Sequence, residues 1–108
     1  MRWYESTKVP DTVPAPDQER KLELYKYDTC PYCVRVMMAL RRMPEVAVDL
    51  LDVRRDRAAA ERLYQTTGRT QVPCLFVDGV PLFESEDIVR WLDAYEEWRD
   101  DASADASP

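Results

Sequence analysis

Apolar and polar residues alternate from Lys21 to Tyr27 (Lys-Leu-Glu-Leu-Tyr-Lys-Tyr), a period of two that predicts a strand with a turn at Asp28-Thr29 after it. From Pro31 to about Arg42 the period becomes helical, with Val34, Met37, Met38 and Leu40 expected to face inward. Arg41 and Arg42 suit the negative end of that helix, and Pro44 forbids its continuation. Val46 to Leu51 reads as a second strand. A strand–helix–strand crossover of this length implies parallel pairing and a right-handed connection. Asp56 to Gln65 is predicted as a second helix, with Ala60, Leu63 and Tyr64 at helical spacing and Gly68 as its stop. Cys74–Val77 and Val80–Phe83 flank the dipeptide Asp78-Gly79, which spells a tight antiparallel hairpin, and Pro81 marks the second run as an edge strand. Ser85 is expected to cap a last helix in which Ile88, Trp91, Leu92 and Tyr95 recur at i, i+3, i+4 and i+7. The order is β-α-β-α-β-β-α, an α/β fold with a four-stranded mixed sheet flanked by helices.

Composition narrows the domain and its partners. Residues 1–20 carry Pro10, Pro14 and Pro16 without any period and read as a flexible extension. Residues 99–108 are small and acidic and read as a disordered tail, so the folding unit is placed at 21–98. The net charge is −6 with no basic block, which argues against nucleic acid as a partner. No apolar run approaches the length of about eighteen residues that a membrane helix needs, and Met1-Arg2-Trp3-Tyr4-Glu5 lacks a secretory apolar core. Three cysteines form no disulfide scaffold, so a reducing compartment, the cytoplasm, is expected, with the protein a monomer.

Candidate chemistry concentrates at Cys30-Pro31-Tyr32-Cys33, where the first strand ends and the first helix starts. Unpaired N–H groups and the positive dipole end of that helix face Cys30 and favour its thiolate, the nucleophilic form. Cys33 lies one turn on, within disulfide reach, and Pro31 suits the first helical position. A closed zinc site wants four ligands. With no histidine and only Cys74 besides the pair, no metal is expected. Cys74 follows Pro73 and is expected to be a buried structural thiol, with a regulatory thiol as the alternative. Arg54, Arg55, Arg57 and Arg62 read as a solvated basic helix edge.

Before the hairpin stands Gly68-Arg69-Thr70-Gln71-Val72-Pro73. Were the Val72–Pro73 bond cis, Val72 would offer its N–H and C=O beside Cys30, where a peptide-like substrate pairs as one more strand. The set Cys30-Pro31-Tyr32-Cys33, Gly68-Arg69-Thr70-Gln71-Val72-Pro73, Phe76-Val77-Asp78-Gly79 and Glu84-Ser85-Glu86-Asp87 resembles a glutaredoxin in order and spacing, over about Leu22 to Trp98. Cys-Pro-Tyr-Cys is similar to the dithiol branch of that family, whose fold is thioredoxin-like.

The resemblance implies a thiol–disulfide oxidoreductase in which Cys30 attacks, Cys33 resolves, and glutathione is co-substrate. Disulfide-containing proteins or small mixed disulfides would be its partners. It also implies a glutathione site along Tyr32, Gln71, Val72, Pro73 and the start of the last helix. There the N–H groups of Ser85 and Glu86 suit the γ-glutamyl carboxylate, and Glu84 or Glu86 its ammonium. Three features depart from the family: Gln71 precedes Val-Pro where threonine is common, Tyr27 stands in place of a lysine, and Leu82-Phe83-Glu84-Ser85 lacks a double glycine. The last is more similar to the N-terminal domain of glutathione transferases. For the glycyl carboxylate, Lys26, Arg57 and Arg69 are the candidate cations. A glutathione-ligated iron–sulfur carrier and a transferase-like module are the alternatives. A transferase would need an appended helical domain.

Overall fold

The computed structural model describes residues 12–105. Seven elements follow in chain order: β1 (Leu22–Lys26), α1 (Pro31–Arg41), β2 (Asp49–Asp52), α2 (Arg57–Thr67), β3 (Cys74–Val77), β4 (Val80–Phe83) and α3 (Ser85–Asp105). They form one sheet in the order β2-β1-β3-β4. β1 pairs parallel with β2 and antiparallel with β3, and β3 pairs antiparallel with β4. This is the expected mixed sheet with the expected element order, a thioredoxin-like fold. No helix among the described residues is long and apolar enough to cross a membrane.

The strand alternation supplies two cores, because successive side chains leave opposite faces of the sheet. Leu22 and Leu24 of β1, with Leu75 and Val77 of β3, pack against Val36 and Ala39 of α1 and Ile88, Trp91 and Leu92 of α3. Tyr25, Cys74 and Phe76 face the other way, onto Ala59 and Leu63 of α2. Tyr25 and Phe76 meet with ring centroids 4.6 Å apart. α2 is bounded as its sequence demands. Asp56 caps it by accepting from the Ala59 N–H at 3.2 Å, and Gly68 ends it at φ 74, a left-handed position.

Several expectations need correction. The apolar face of α1 is rotated: Cys33, Val36 and Ala39 are buried, whereas Val34 and Met38 are exposed. Period alone cannot choose between two apolar stripes, and the sheet takes the one that also buries Cys33. On α2, Ala59 and Leu63 face inward, while Tyr64 is exposed. β2 begins at Asp49, not Val46, because Val46 serves the core from a turn, its N–H bonded to the Met43 carbonyl at 3.0 Å.

The chain termini depart further. α3 runs past Trp98 to Asp105, across residues read as tail. Of the N-terminal extension, residues 1–11 lie outside the described residues, but the rest is packed onto α3. Val13 is buried in the main core, and Trp91 Nε1 donates to the Pro14 carbonyl at 2.9 Å. The Arg20 N–H donates to Tyr95 Oη at 3.1 Å, and that hydroxyl in turn donates to Glu19 at 3.1 Å. Fixed φ at Pro14 and Pro16 lowers the entropy lost in laying this strap down. The folding unit therefore starts before Lys21.

Candidate active site

Register brings the sequence motifs to one end of the sheet. Tyr25 on β1 lies opposite Cys74 on β3, and Cys74 opposite Phe83 on β4. Lys26 on β1 lies beside Asp52 on β2. Continuing each strand by a residue or two places Tyr27–Cys30, Val53–Arg54, Val72–Pro73 and Glu84–Ser85 together, beyond the C-terminal end of β1. Antiparallel β3 starts where β1 stops, and this is why motifs far apart in sequence meet.

Cys30 is the N-cap of α1, extended at φ −81 and ψ 120, and its sulfur accepts from the Cys33 N–H at 3.4 Å. Burial opposes the Cys30 thiolate. The N–H and thiol of Cys33, the N–H of Tyr32 and the side chain of Tyr27 outweigh it and leave the Cys30 thiol more acidic than an ordinary one. Cys33 is 1% exposed, and burial pushes it up to about 12, with the developing charge on Cys30 acting in the same direction. One sulfur thus ionises readily and its neighbour keeps its proton. That asymmetry is what an attacking and a resolving thiol require.

The remaining sites fall out unevenly. Tyr32 stands exposed between the cysteines. The Val72–Pro73 bond is cis, Pro73 is buried and Gln71 exposed. Among the described residues, the Val72 N–H and C=O carry no hydrogen bond. Ser85, expected as the cap of α3, is instead its first helical residue. Glu84 holds the cap position, and its carbonyl accepts from the Ile88 N–H at 2.9 Å. Glu84 adopts φ 72, a left-handed conformation that costs a residue with a Cβ roughly 1–2 kcal/mol. Such an outlier is kept where surrounding structure demands it. The N–H groups of Ser85, Glu86 and Asp87 point out of the helix start with no partner among the described residues.

Of the three candidate cations, two are engaged. Lys26 is held by Asp28 at 2.7 Å and Asp52 at 3.7 Å, and its hydrogen bond keeps the Asp28 carboxyl below its ordinary range. Arg69 bonds Gln71 at 3.3 Å and covers the Phe83 ring at 4.8 Å. Arg57, exposed at the start of α2, makes no ion pair among the described residues. Arg54, read from the sequence as part of a solvated basic edge, was not foreseen here. The Arg54 guanidinium lies 3.8 Å from the Tyr27 ring centroid and donates to Thr29 Oγ1 at 3.1 Å, over a cleft of about 190 Å³ lined also by Asp28, Asp52 and Arg55. A cation over an exposed ring contributes about 0.5–1 kcal/mol. In the run Arg54-Arg55-Asp56-Arg57 nothing local distinguishes the arginine that reaches Tyr27 and Thr29. Cys74 sits apart, fully buried on the α2 face and pushed up to about 12 by burial.

Known proteins resemble this chain in sequence and fold. The family model described as Glutaredoxin matches residues 22–82. Glutaredoxin 3 of Escherichia coli K12 is 34% identical over 73 residues, 68% of this chain and 86% of the relative. Among solved structures, a mutant of thioredoxin-like protein BC3987 superposes with a TM-score of 0.57 at 32% identity, covering 67% of this chain and 99% of the other. The trimeric glutathione transferase TDR1 of Leishmania superposes with a TM-score of 0.56 at 35% identity, over 69% of this chain but 17% of its own. With its paired thiols at the head of α1 and a family match spanning more than half its length, the chain belongs to the glutaredoxin family.

Proposed function

We propose that the protein is a glutathione-dependent thiol–disulfide oxidoreductase. The observation that carries this reading is the asymmetry of the pair: an acidified Cys30 thiol at the helix start, and a Cys33 thiol held protonated beside it. The Cys30 thiolate attacks the glutathionyl sulfur of a mixed disulfide. A Cys30–glutathione disulfide forms, the old S–S bond breaks, and its electron pair leaves on the substrate sulfur, which takes a proton from water or from Cys33. Cys33 then attacks Cys30 and expels glutathione, or a second glutathione attacks the bound one and leaves as oxidised glutathione.

Binding follows from groups left unpaired. The Val72 N–H and C=O would pair with the cysteinyl unit, flanked by Gln71 and Pro73, with Tyr32 packed over the tripeptide. The γ-glutamyl carboxylate would meet the free N–H groups of Ser85 and Glu86, and Glu84 or Glu86 its ammonium. Arg57 is the candidate glycyl cation with no competing carboxylate; Lys26 and Arg69 would each have to give up a partner. For a net-negative ligand on a chain of charge −6, such a cation sets the encounter rate.

Turnover of a small glutathione mixed disulfide by wild type, Cys30→Ser and Cys33→Ser tests the proposal. Cys30→Ser is expected to abolish turnover and Cys33→Ser to retain the glutathione-recycled route. Equal rates in all three proteins would refute it.

A further inference from the structure

We propose that the groove between α1 and α3 seats the stretch of a protein substrate that flanks its reactive cysteine, and that it selects stretches in which an apolar side chain stands between acidic ones. The inference rests on the reading of Cys30 as the nucleophile and names the class of protein disulfide it serves.

The groove exists because of the stripe that α1 buries. With Cys33, Val36 and Ala39 turned to the core, Val34 and Met38 are left in water, 42% and 54% exposed. They stand at i and i+4, one turn apart on one face, with Pro31 at the head of the same row. Val89 of α3 forms the opposite wall and buried Ala39 the floor of an open groove of about 370 Å³. A contiguous apolar surface of this kind marks a contact site more often than a scattered one does. The head of the groove is Pro31, the residue after the nucleophile, so its Cα lies about 3.8 Å from that of Cys30. On α3, Val89 follows Ser85 by one helical turn. A substrate chain joined through its own sulfur to Cys30 is thus within a residue or two of this surface. From Pro31 to Arg42 the row runs about 16 Å along the helix, the span of about five extended residues.

Charge decides which stretch fits. Arg35 and Arg42 line the α1 side of the groove, both exposed, and neither makes an ion pair among the described residues. By contrast Arg20, Arg55, Arg62, Arg90 and Arg99 each hold a carboxylate of this chain. Two unspent guanidiniums beside exposed apolar side chains create a local preference for acid, which the chain's overall charge of −6 opposes. The carboxylates of the occupant face α1, because Glu86 and Asp93 stand one turn to either side of Val89 on α3. A second copy docked about a two-fold axis would bring this basic row against its own equivalent. Residues 1–11 offer no surplus of acid, with Arg2 and Lys8 balancing Glu5 and Asp11. An acidic and apolar stretch of another protein is the occupant that both the arginines and the apolar row favour.

The test is deglutathionylation of three peptides, each with its cysteine in a mixed disulfide with glutathione. They differ only in the three residues on either side: Glu-Leu-Glu, Glu-Ser-Glu or Lys-Leu-Lys. The mixed disulfide of glutathione with free cysteine is the small control. Wild type is expected to favour the Glu-Leu-Glu peptide about fivefold in kcat/KM over either of the others, the factor that two exposed charge pairs or two part-covered apolar side chains supply. Arg35→Gln with Arg42→Gln should erase the gap to the Lys-Leu-Lys peptide. Val34→Ser with Met38→Ser should erase the gap to the Glu-Ser-Glu peptide, and the small control should be unchanged in both proteins. All four positions are exposed, and thermal melting checks that each fold is kept. Equal wild-type rates on the three peptides overturn the proposal, as does a loss on the small control that matches the loss on the peptides. A dimer in sedimentation that Val34→Ser with Met38→Ser splits would give the groove to a second copy, and overturns it too. Inactivity on all four disulfides would sink the glutathione reading. Binding is then read by fluorescence anisotropy of a labelled Glu-Leu-Glu peptide with serine for cysteine. Binding that both double variants lose upholds the groove, and no binding to wild type overturns it.

Discussion

The backbone N–H of Cys33 points at Cys30 Sγ across 3.4 Å, so the chain that carries the second thiol also steadies the charge on the first. Cys33 itself is sealed from solvent by the same turn of helix. Selectivity between the two sulfurs follows.

At neutral pH one equivalent of a thiol reagent should modify Cys30 and spare Cys33 and Cys74, as peptide mass mapping would report. The rate should climb with pH through a midpoint below 9.0, because the folded thiol is more acidic than an ordinary one. The linked effect on stability has a definite sign. Ionised Cys30 stabilises the native state above the ordinary thiol value, and that contribution fades as pH falls through the lowered one. Preferential labelling of Cys33 would contradict the site assignment.

Cys74 should make the fold sensitive to alkali. Its thiol ionises near 9.0 when unfolded and near about 12 when folded. Its share of stability is therefore complete below the first value and is lost as pH rises toward the second, at up to about 1.4 kcal/mol per pH unit. Urea unfolding of Cys74→Ala should show a shallower alkaline decline than wild type. Parallel curves would mean that Cys74 is not sealed in the α2-side core.

The rotated face of α1 is open to a paired measurement. Val36→Ala removes two buried methyl groups and should cost about 2 kcal/mol, whereas Val34→Ala, on the exposed side, should stay within about 0.5 kcal/mol. The reverse ranking in chemical denaturation would restore the stripe read from the sequence.

The N-terminal strap should be worth a measurable fraction of the fold. Trp91→Phe keeps an aromatic ring in the core but leaves the Pro14 carbonyl without its donor, a loss of about 1–3 kcal/mol where that carbonyl stays dry. Val13→Ala should destabilise in the same direction through lost packing. Urea midpoints unchanged in both variants would show that residues 13–20 contribute nothing.

Much of this was legible along the chain because it is local. Asp78-Gly79 between two apolar runs specifies its hairpin, with Asp78 at φ 51 and Gly79 at φ 84. Asp56 and Gly68 mark the ends of α2, and Cys30 before Pro31 marks the start of α1. Less legible were choices between equal local options. Ser85 is as good a cap as any, yet the return from Phe83 demands a left-handed residue, and Glu84 takes that place.

Element order, the hairpin and the position of the paired cysteines at a helix start are all written locally in the chain. Each rests on turns, caps and periods within a few residues, where backbone sterics act directly. Packing at a distance chose which stripe of α1 is buried, brought Val13 into the core with its strap along α3, and put Arg54 rather than its neighbours over Tyr27. Those outcomes depend on which distant surface a side chain meets, and that is settled when the sheet brings the ends of its strands together.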